Sequence, residues 1–231
     1  MAGLGQASGQ VAASFKSSCT AVLLTEQFLL TDARCLQNNQ VNYAVVGYNA
    51  GPAAAVYVPI EAQLTPPYYV RGSDHNSVAL VKLATNVSFS SNVQPVCVQH
   101  PLSHDNSSSL TALSAGYSID DAGQLQFGTG LEVVGRQINQ VCSDSRFVNF
   151  NVPPEKYTCA SNILACEFLA NPPVLLEEEI NGGTYLVVGV GGDNSNFCKG
   201  DAMAFVRVGE HLAWIKSIAF PQGDPVLTAF G

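Results

Sequence analysis

Positive charge is scarce in this chain of 231 residues. Charged residues make up only 12% of the sequence, and 10 lysines and arginines face 18 aspartates and glutamates, for a net charge of −8. Proteins that bind nucleic acid usually carry a basic surface, so this composition argues against a nucleic-acid partner. Long apolar runs are lacking as well. No stretch reaches the roughly 18 to 20 residues that cross a bilayer, and the sequence therefore predicts no membrane-spanning helix.

The first residues lack the basic region and the apolar core of a secretory signal peptide. We nevertheless expect a secreted protein, with a leader and a larger upstream region preceding residue 1. The chain has seven cysteines without the paired C-x-x-C spacing of a zinc site, which favours disulfides in an oxidising compartment. Sequons at Asn86 and Asn106 are candidates for glycosylation. His100 and His104 lack the spacing of metal ligands, so neither a metal nor another cofactor is predicted.

The apolar residues, 47% of the chain, fall mostly into short runs that turn residues separate. Such a rhythm is typical of an all-β sandwich or of paired barrels. We predict a flexible entry over residues 1–10 and one helix over 208–219, with His211 on its exposed side. The predicted strands cover residues 11–15, 20–24, 28–31, 41–48, 54–60, 78–83, 110–117, 132–138, 156–161, 174–176 and 185–190.

Three segments resemble the chymotrypsin/trypsin family of serine proteases. Residues 19–35, CTAVLLTEQFLLTDARC, resemble CGGSLIxxxWVLTAAHC in both cysteines and in length. Residues 76–83, NSVALVKL, resemble NDIALLKL, and residues 164–174, LACEFLANPPV, stand where the family carries CxGDSGGP. Weaker similarities at 93–98, 115–117 and 206–215 extend the resemblance over nearly the whole chain. It implies an all-β fold of two six-stranded antiparallel barrels in one domain, roughly 1–105 and 106–231, with a C-terminal helix.

All three positions of the family's catalytic triad carry other residues here. The general base is replaced by Arg34, the orienting aspartate by Ser77 and the nucleophilic serine by Ala170. An arginine stays protonated and cannot accept a proton, and a methyl group cannot attack a carbonyl. Loss of such a triad lowers turnover on the order of 10⁶-fold. The resemblance therefore implies a protein that does not hydrolyse peptides.

Positions that support catalysis in the family are also changed. Phe168 replaces the oxyanion-hole glycine, and Leu169 replaces the aspartate that pairs with the new N-terminus after activation. At the specificity pocket, Leu164 stands at the base and Met203 at a wall glycine. A cationic substrate side chain would have no partner in such a pocket.

The resemblance also implies how the cysteines pair. The expected disulfides are Cys19–Cys35, Cys142–Cys159 and Cys166–Cys198, which leaves Cys97 over. In family members with an upstream segment, the matching cysteine bonds to that segment, so we expect the same of Cys97. The alternative is a buried thiol.

Two further groups keep two interpretations each. His75, next to Asp74 and two residues before Ser77, is either part of a rebuilt catalytic pair or a polar loop residue. Residues 177–179, EEE, are either a solvated hairpin tip or an acidic docking patch.

The sequence favours a non-catalytic serine protease homologue that binds a protein: a protease, a zymogen or a receptor. By analogy with arthropod clip-domain proteins, it would be a cofactor or regulator of an extracellular protease or immune cascade. The alternative is an active hydrolase with relocated catalytic residues. A nucleophile within hydrogen-bonding distance of a base would favour the hydrolase over the non-catalytic homologue.

Overall fold

The computed structural model describes residues 1–38, 40–73, 75–98, 111–119, 125–135, 156–160, 174–178, 185–191, 198–199 and 202–222. Six strands of the N-terminal half close into an antiparallel barrel with the neighbour order β1-β2-β3-β6-β5-β4. They are β1 Ala2–Gln6, β2 Lys16–Leu23, β3 Phe28–Thr31, β4 Tyr43–Val46, β5 Val56–Leu64 and β6 Ala79–Leu83. Closure leaves no open edge, and fully buried leucines such as Leu4, Leu29 and Leu83 fill the interior. The first predicted barrel is confirmed.

The strands of the C-terminal half form one further sheet, in the order β10-β14-β12-β11-β8-β9, with β13 on β14 and β7 parallel to β12. They are β7 Cys97–Val98, β8 Thr111–Ile119, β9 Leu125–Gly135, β10 Tyr157–Ala160, β11 Val174–Glu178, β12 Tyr185–Gly191, β13 Cys198–Lys199 and β14 Ala202–Arg207. The all-β class is thereby confirmed. Closure of this sheet into a second barrel stays a prediction, as do the single domain and its two halves.

An apolar core joins the two halves. Leu30 and Leu80 of the first barrel lie in one cluster with Tyr157, Val206 and Ile215 of the second half. The C-terminal helix, which follows a 3-10 turn at Val208–His211, spans Leu212–Ala219 and buries Leu212, Ile215 and Ala219. The helix predicted over 208–219 is confirmed, and its buried stripe follows the helical period.

The predicted flexible entry over residues 1–10 is wrong, because Ala2–Gln6 is the buried strand β1. Its glycines allow close packing. A Cβ on Gly5 would overlap the backbone carbonyl of Lys16 on β2.

The predicted strand over residues 11–15 is wrong as well, because Val11–Ser14 form one helical turn, α1. The hydroxyl of Ser14 accepts a hydrogen bond from the amide of Ser8 at 3.0 Å and so closes the turn between β1 and β2. The short apolar run stays at the surface, where Phe15 contacts Tyr57 edge to face. The helix α2, Ala33–Asn38, follows β3 and was not predicted.

His211 is not on the exposed side of the final helix. Its side chain is only 2% exposed, because its ring stacks on Tyr68 of the first half. An apolar face of the imidazole is covered, and one ring nitrogen is satisfied by the tyrosine hydroxyl.

Cys19 and Cys35 are joined by a disulfide, with their Cα atoms 5.8 Å apart. The bond ties β2 to the start of α2 and so fixes the helix that carries Arg34. The pairings Cys142–Cys159 and Cys166–Cys198 depend on side chains outside the described part of the chain.

Candidate functional site

Arg34 and Ser77, which the sequence resemblance assigns to two of the three triad positions, lie side by side in the first barrel. Arg34 is in the first turn of α2, just after β3, and Ser77 immediately precedes β6. The strands β3 and β6 are hydrogen-bonded neighbours, with Thr31 opposite Ala79. The sheet register therefore brings the backbone of Arg34 next to the side chain of Ser77.

The centre of this site is Asp32, a residue that the sequence analysis did not single out. Its Oδ1 accepts hydrogen bonds from the amide of Arg34 at 2.7 Å, the amide of Cys35 at 3.3 Å and the hydroxyl of Ser77 at 2.9 Å. The amide of Arg34 also lies 3.2 Å from the Ser77 hydroxyl oxygen. One carboxylate oxygen thus caps the start of α2 and holds Ser77 in place.

A signal for Asp32 was present in the sequence. The family pattern TAAHC has an alanine at the position that Asp32 occupies in TDARC. The chain has therefore gained a carboxyl group at residue 32 and has serine at residue 77, where the pattern NDIA has aspartate. In the folded protein the two changed side chains touch each other.

Burial dominates the electrostatics of this cluster. Asp32 is 2% exposed, and burial raises the pKa of its carboxyl group from 3.8 to about 6, although the positive charge of Arg34 and the bond from Ser77 lower it. Its second oxygen, Oδ2, is buried and receives no hydrogen bond from the described residues. Near neutral pH the carboxyl group is mostly ionised beside a permanent cation.

The Arg34 side chain is buried between the two halves of the protein. It is 7% exposed, and its charge lowers the pKa of both Asp32 and Tyr157, so the guanidinium lies close to both. Burial nevertheless raises the pKa of Tyr157 well above its usual range. Arg34 therefore faces the core between the halves as a cation that cannot act as a base.

A loop of the first barrel, described at residues 65–73 and 75–76, reaches the second half through two tyrosine–histidine pairs. The hydroxyl of Tyr68 lies 3.0 Å from Nδ1 of His211, with the rings stacked at 5.7 Å. The hydroxyl of Tyr157 lies 3.0 Å from Nδ1 of His75. We call residues 65–76 the bridging loop. Each half contributes one tyrosine and one histidine to these contacts.

No hydrogen bond between described residues joins His75 to Arg34 or Ser77. Its ring bonds to Tyr157, whereas Ser77 donates to Asp32. Ser77 is fully buried, so its hydroxyl is not presented to a substrate. Asp74, the other half of the rebuilt pair considered above, lies outside the described residues.

His211 gives a pH-dependent contribution to stability with a defined sign. Burial, and secondarily the charge of Lys156, lowers the pKa of His211 from 6.5 to about 4. The folded protein therefore favours the neutral ring, whose contribution is fully present above the ordinary pKa of 6.5 and is lost as the pH falls towards 4.

We expect His211 to lower the free energy of unfolding by about 1.5 kcal/mol between pH 6.5 and about pH 5. The raised pKa of Asp32 acts in the opposite direction over part of this range, so the wild-type curve alone would hide the effect. Urea unfolding of wild type and His211→Phe at both pH values isolates it. A difference between the two proteins that is independent of pH would contradict the assignment.

The remaining predicted positions are only partly described. Leu164, Phe168, Leu169, Ala170, Cys166 and Asn106 lie outside the described residues, and Met203 is placed only as a backbone position of β14, opposite Ala160 and Cys198. Asn86 is exposed, and its amide donates to Glu26 at 2.9 Å, so its glycosylation stays a prediction. Cys97 is partly buried in β7. Residues 177 and 178 belong to β11.

Within the described ranges, no group of three or more His, Cys, Asp or Glu side chains is arranged to hold a metal ion. Among the helices described, none is both long and apolar enough to cross a membrane.

Comparison with known proteins agrees with this architecture. The profile of the family described as Trypsin matches residues 3–159. The chain is 31% identical over 80 residues to the CLIP domain-containing serine protease C9 of Anopheles gambiae, a match that covers 35% of this chain and 22% of that protein. It is 29% identical over 85 residues to the venom serine protease Bi-VSP of Bombus ignitus, covering 35% of this chain and 24% of that protein.

The matched segment thus spans less than a quarter of the length of either relative. The family match, in contrast, extends over more than half of this chain and includes every strand of the closed barrel. The chain belongs to the trypsin family.

Proposed function

We propose that this protein is a non-catalytic serine protease homologue, secreted and active through protein binding. It would be a scaffold, cofactor or regulator for an extracellular protease or immune cascade. The observation that carries the proposal is the Arg34–Asp32–Ser77 cluster. At the position of the family's general base stands a buried cation, and the carboxyl group beside it holds backbone amides and a serine hydroxyl.

This arrangement stabilises the folded structure and is not suited to proton transfer. A general base must gain and lose a proton near the working pH, and the guanidinium of Arg34 remains protonated throughout. Ser77 has no exposed surface, and its hydroxyl donates a hydrogen bond to Asp32. The sequence adds Ala170 at the nucleophile position, which by itself removes covalent catalysis.

The relatives support an extracellular cascade as the setting. One is named for a CLIP domain joined to a serine protease, and the other is a venom serine protease. We propose that this chain likewise belongs to a larger secreted protein, with Cys97 joined to an upstream segment and with Asn86 and Asn106 as glycosylation sites. The partner would be a protease, a zymogen or a receptor.

The test has an enzymatic arm and a binding arm. We expect the disulfide-bonded protein to show no turnover of peptide substrates with arginine, phenylalanine or alanine at the cleaved position, and no labelling by a fluorophosphonate probe. Active trypsin, assayed in parallel, is the positive control for the arginine substrate and the probe. Turnover or labelling of the wild-type protein would overturn the proposal in favour of a relocated active site.

The binding arm uses the intact full-length protein as bait in its native extracellular fluid. The recovered protease or zymogen is then assayed with and without the purified bait. A change of at least a few-fold in its cleavage rate supports a regulator. If neither a protease, a zymogen nor a receptor is retained, the scaffold proposal fails even when the enzymatic arm succeeds.

A further inference from the structure

The tip of the bridging loop is a tight turn that projects into solvent. The amide of Ser73 donates to the carbonyl of Val70 at 2.9 Å and closes a turn with Arg71 and Gly72 at its centre. Gly72 has a φ of 81°, and a Cβ placed on it would meet no atom within 4 Å. Val70 is 68% exposed, and Arg71 is also exposed. The peptide bond between Arg71 and Gly72 therefore lies in an exposed turn.

Few interactions hold this tip. The amide of Gly72 donates to the side chain of Gln37 at 3.2 Å, in an exposed contact. No side-chain hydrogen bond or ion pair engages Arg71 among the described residues. Opening the turn breaks the bond between Ser73 and Val70, the contact to Gln37 and the bond from the His75 amide to the Ser73 hydroxyl, each worth on the order of 1 kcal/mol net.

The other cations of the described chain are placed differently. Lys16, Lys82 and Lys199 belong to β2, β6 and β13, Arg34 and Arg207 are buried or partly buried, and Lys216 lies within the final helix. The carbonyl of Lys156 accepts a hydrogen bond from Arg207 beside β10. Among the described lysines and arginines, Arg71 is thus the one that is exposed and lies outside helices and strands.

We propose that the Arg71–Gly72 peptide bond is a site of limited proteolysis for an extracellular endoprotease that cleaves after arginine. Hydrolysis consumes one water molecule, breaks the bond between the Arg71 carbonyl carbon and the Gly72 nitrogen, and leaves a carboxylate on Arg71 and an amine on Gly72. Exposed loop tips with small residues are the preferred sites of such nicking. The exposed guanidinium supplies the group that a specificity pocket with a carboxylate recognises.

The position of the bond decides what the cut would do. Tyr68, which contacts His211, lies before it, and His75, which contacts Tyr157, lies after it. Cleavage would separate the two contacts of the bridging loop from each other without removing either. The strand β6, after the cut, lies between β3 and β5, both before it. The two fragments would therefore remain assembled in one barrel.

Brief digestion of the folded, disulfide-bonded protein with a low amount of trypsin tests the site, with mapping by mass spectrometry. We expect fragments 1–71 and 72–231 that separate on a denaturing gel but co-elute in native size exclusion. Arg71→Gln should slow their appearance at least tenfold, and Arg71→Lys should restore it. Lys16→Gln, which removes an exposed cation from a strand, should leave the rate unchanged. Thermal melting confirms that the variants are folded.

The proposal is overturned if Arg71–Gly72 stays intact while trypsin cuts elsewhere, or if Arg71→Gln is cut at the wild-type rate. The natural protein provides the second measurement. A proportion of molecules purified from the native fluid should begin at Gly72, and a population cut only at other sites would refute processing there. Both outcomes are independent of whether the protein hydrolyses substrates or binds a cascade component.

Discussion

Asp32→Ala is expected to lower the free energy of unfolding by about 3 to 4 kcal/mol. The substitution removes the Oδ1 acceptor from three buried donors: the amides of Arg34 and Cys35 and the hydroxyl of Ser77. Each such donor costs on the order of 1 kcal/mol or more, and the Arg34 cation loses its neighbouring carboxylate. Relief from the desolvation of Asp32, which raises its pKa to about 6, offsets part of the loss. Urea unfolding at neutral pH measures the difference.

Two further variants separate hydrogen bonding from charge. Asp32→Asn keeps an acceptor oxygen, and we expect less than half of the loss. Adding Ser77→Asp to Asp32→Ala returns a carboxyl group to the same cluster from residue 77, just before β6. The double variant should recover at least half of the free energy of unfolding that Asp32→Ala loses. If the double variant is no more stable than Asp32→Ala, a carboxyl group at residue 77 does not substitute for the one at residue 32. Glu61→Ala, which breaks the exposed ion pair to Lys82, should cost less than about 1 kcal/mol.

Removal of the Cys19–Cys35 disulfide, by Cys19→Ser with Cys35→Ser, is expected to cost about 3 kcal/mol. The two cysteines are 16 positions apart in the sequence. In the chain-entropy model, a disulfide that closes a loop of this length raises the free energy of the unfolded chain by about that amount. Both sulfurs are buried in the barrel core, so two serine hydroxyls add a further penalty. Thermal unfolding of the double variant under oxidising conditions measures the loss. A melting temperature equal to that of wild type would contradict it.

Much of the fold could be predicted because it depends on patterns that the chain retains. The strands β3 and β6 are mostly apolar and lie between turn residues, and the final helix carries a clear apolar stripe. The strand prediction for residues 11–15 was wrong because Val11 and Phe15 favour strands, whereas the alanines between them do not. There hydrogen bonds between Ser8 and Ser14 favour a helical turn, and such contacts depend on the path of the neighbouring strands.

The candidate site was predictable only in part. Arg34 and Ser77 were found by position in a motif, but the role of Asp32 depends on a sheet register that joins residues 45 positions apart. The burial of His211 depends on a tyrosine 143 positions earlier in the chain. Pairings of that range are set by how the halves pack, and a local pattern carries no information about them.

The strand order of the barrel also limits when this protein can fold during synthesis. Because β6 is the last of the six strands to be made but pairs with β3 and β5, the first five strands leave two unsatisfied strand edges until residues 79–83 emerge from the ribosome. Contacts of such long sequence separation form slowly. A nascent chain that pauses before β6 would therefore expose these edges to aggregation, and we expect chaperone binding to be strongest over that interval.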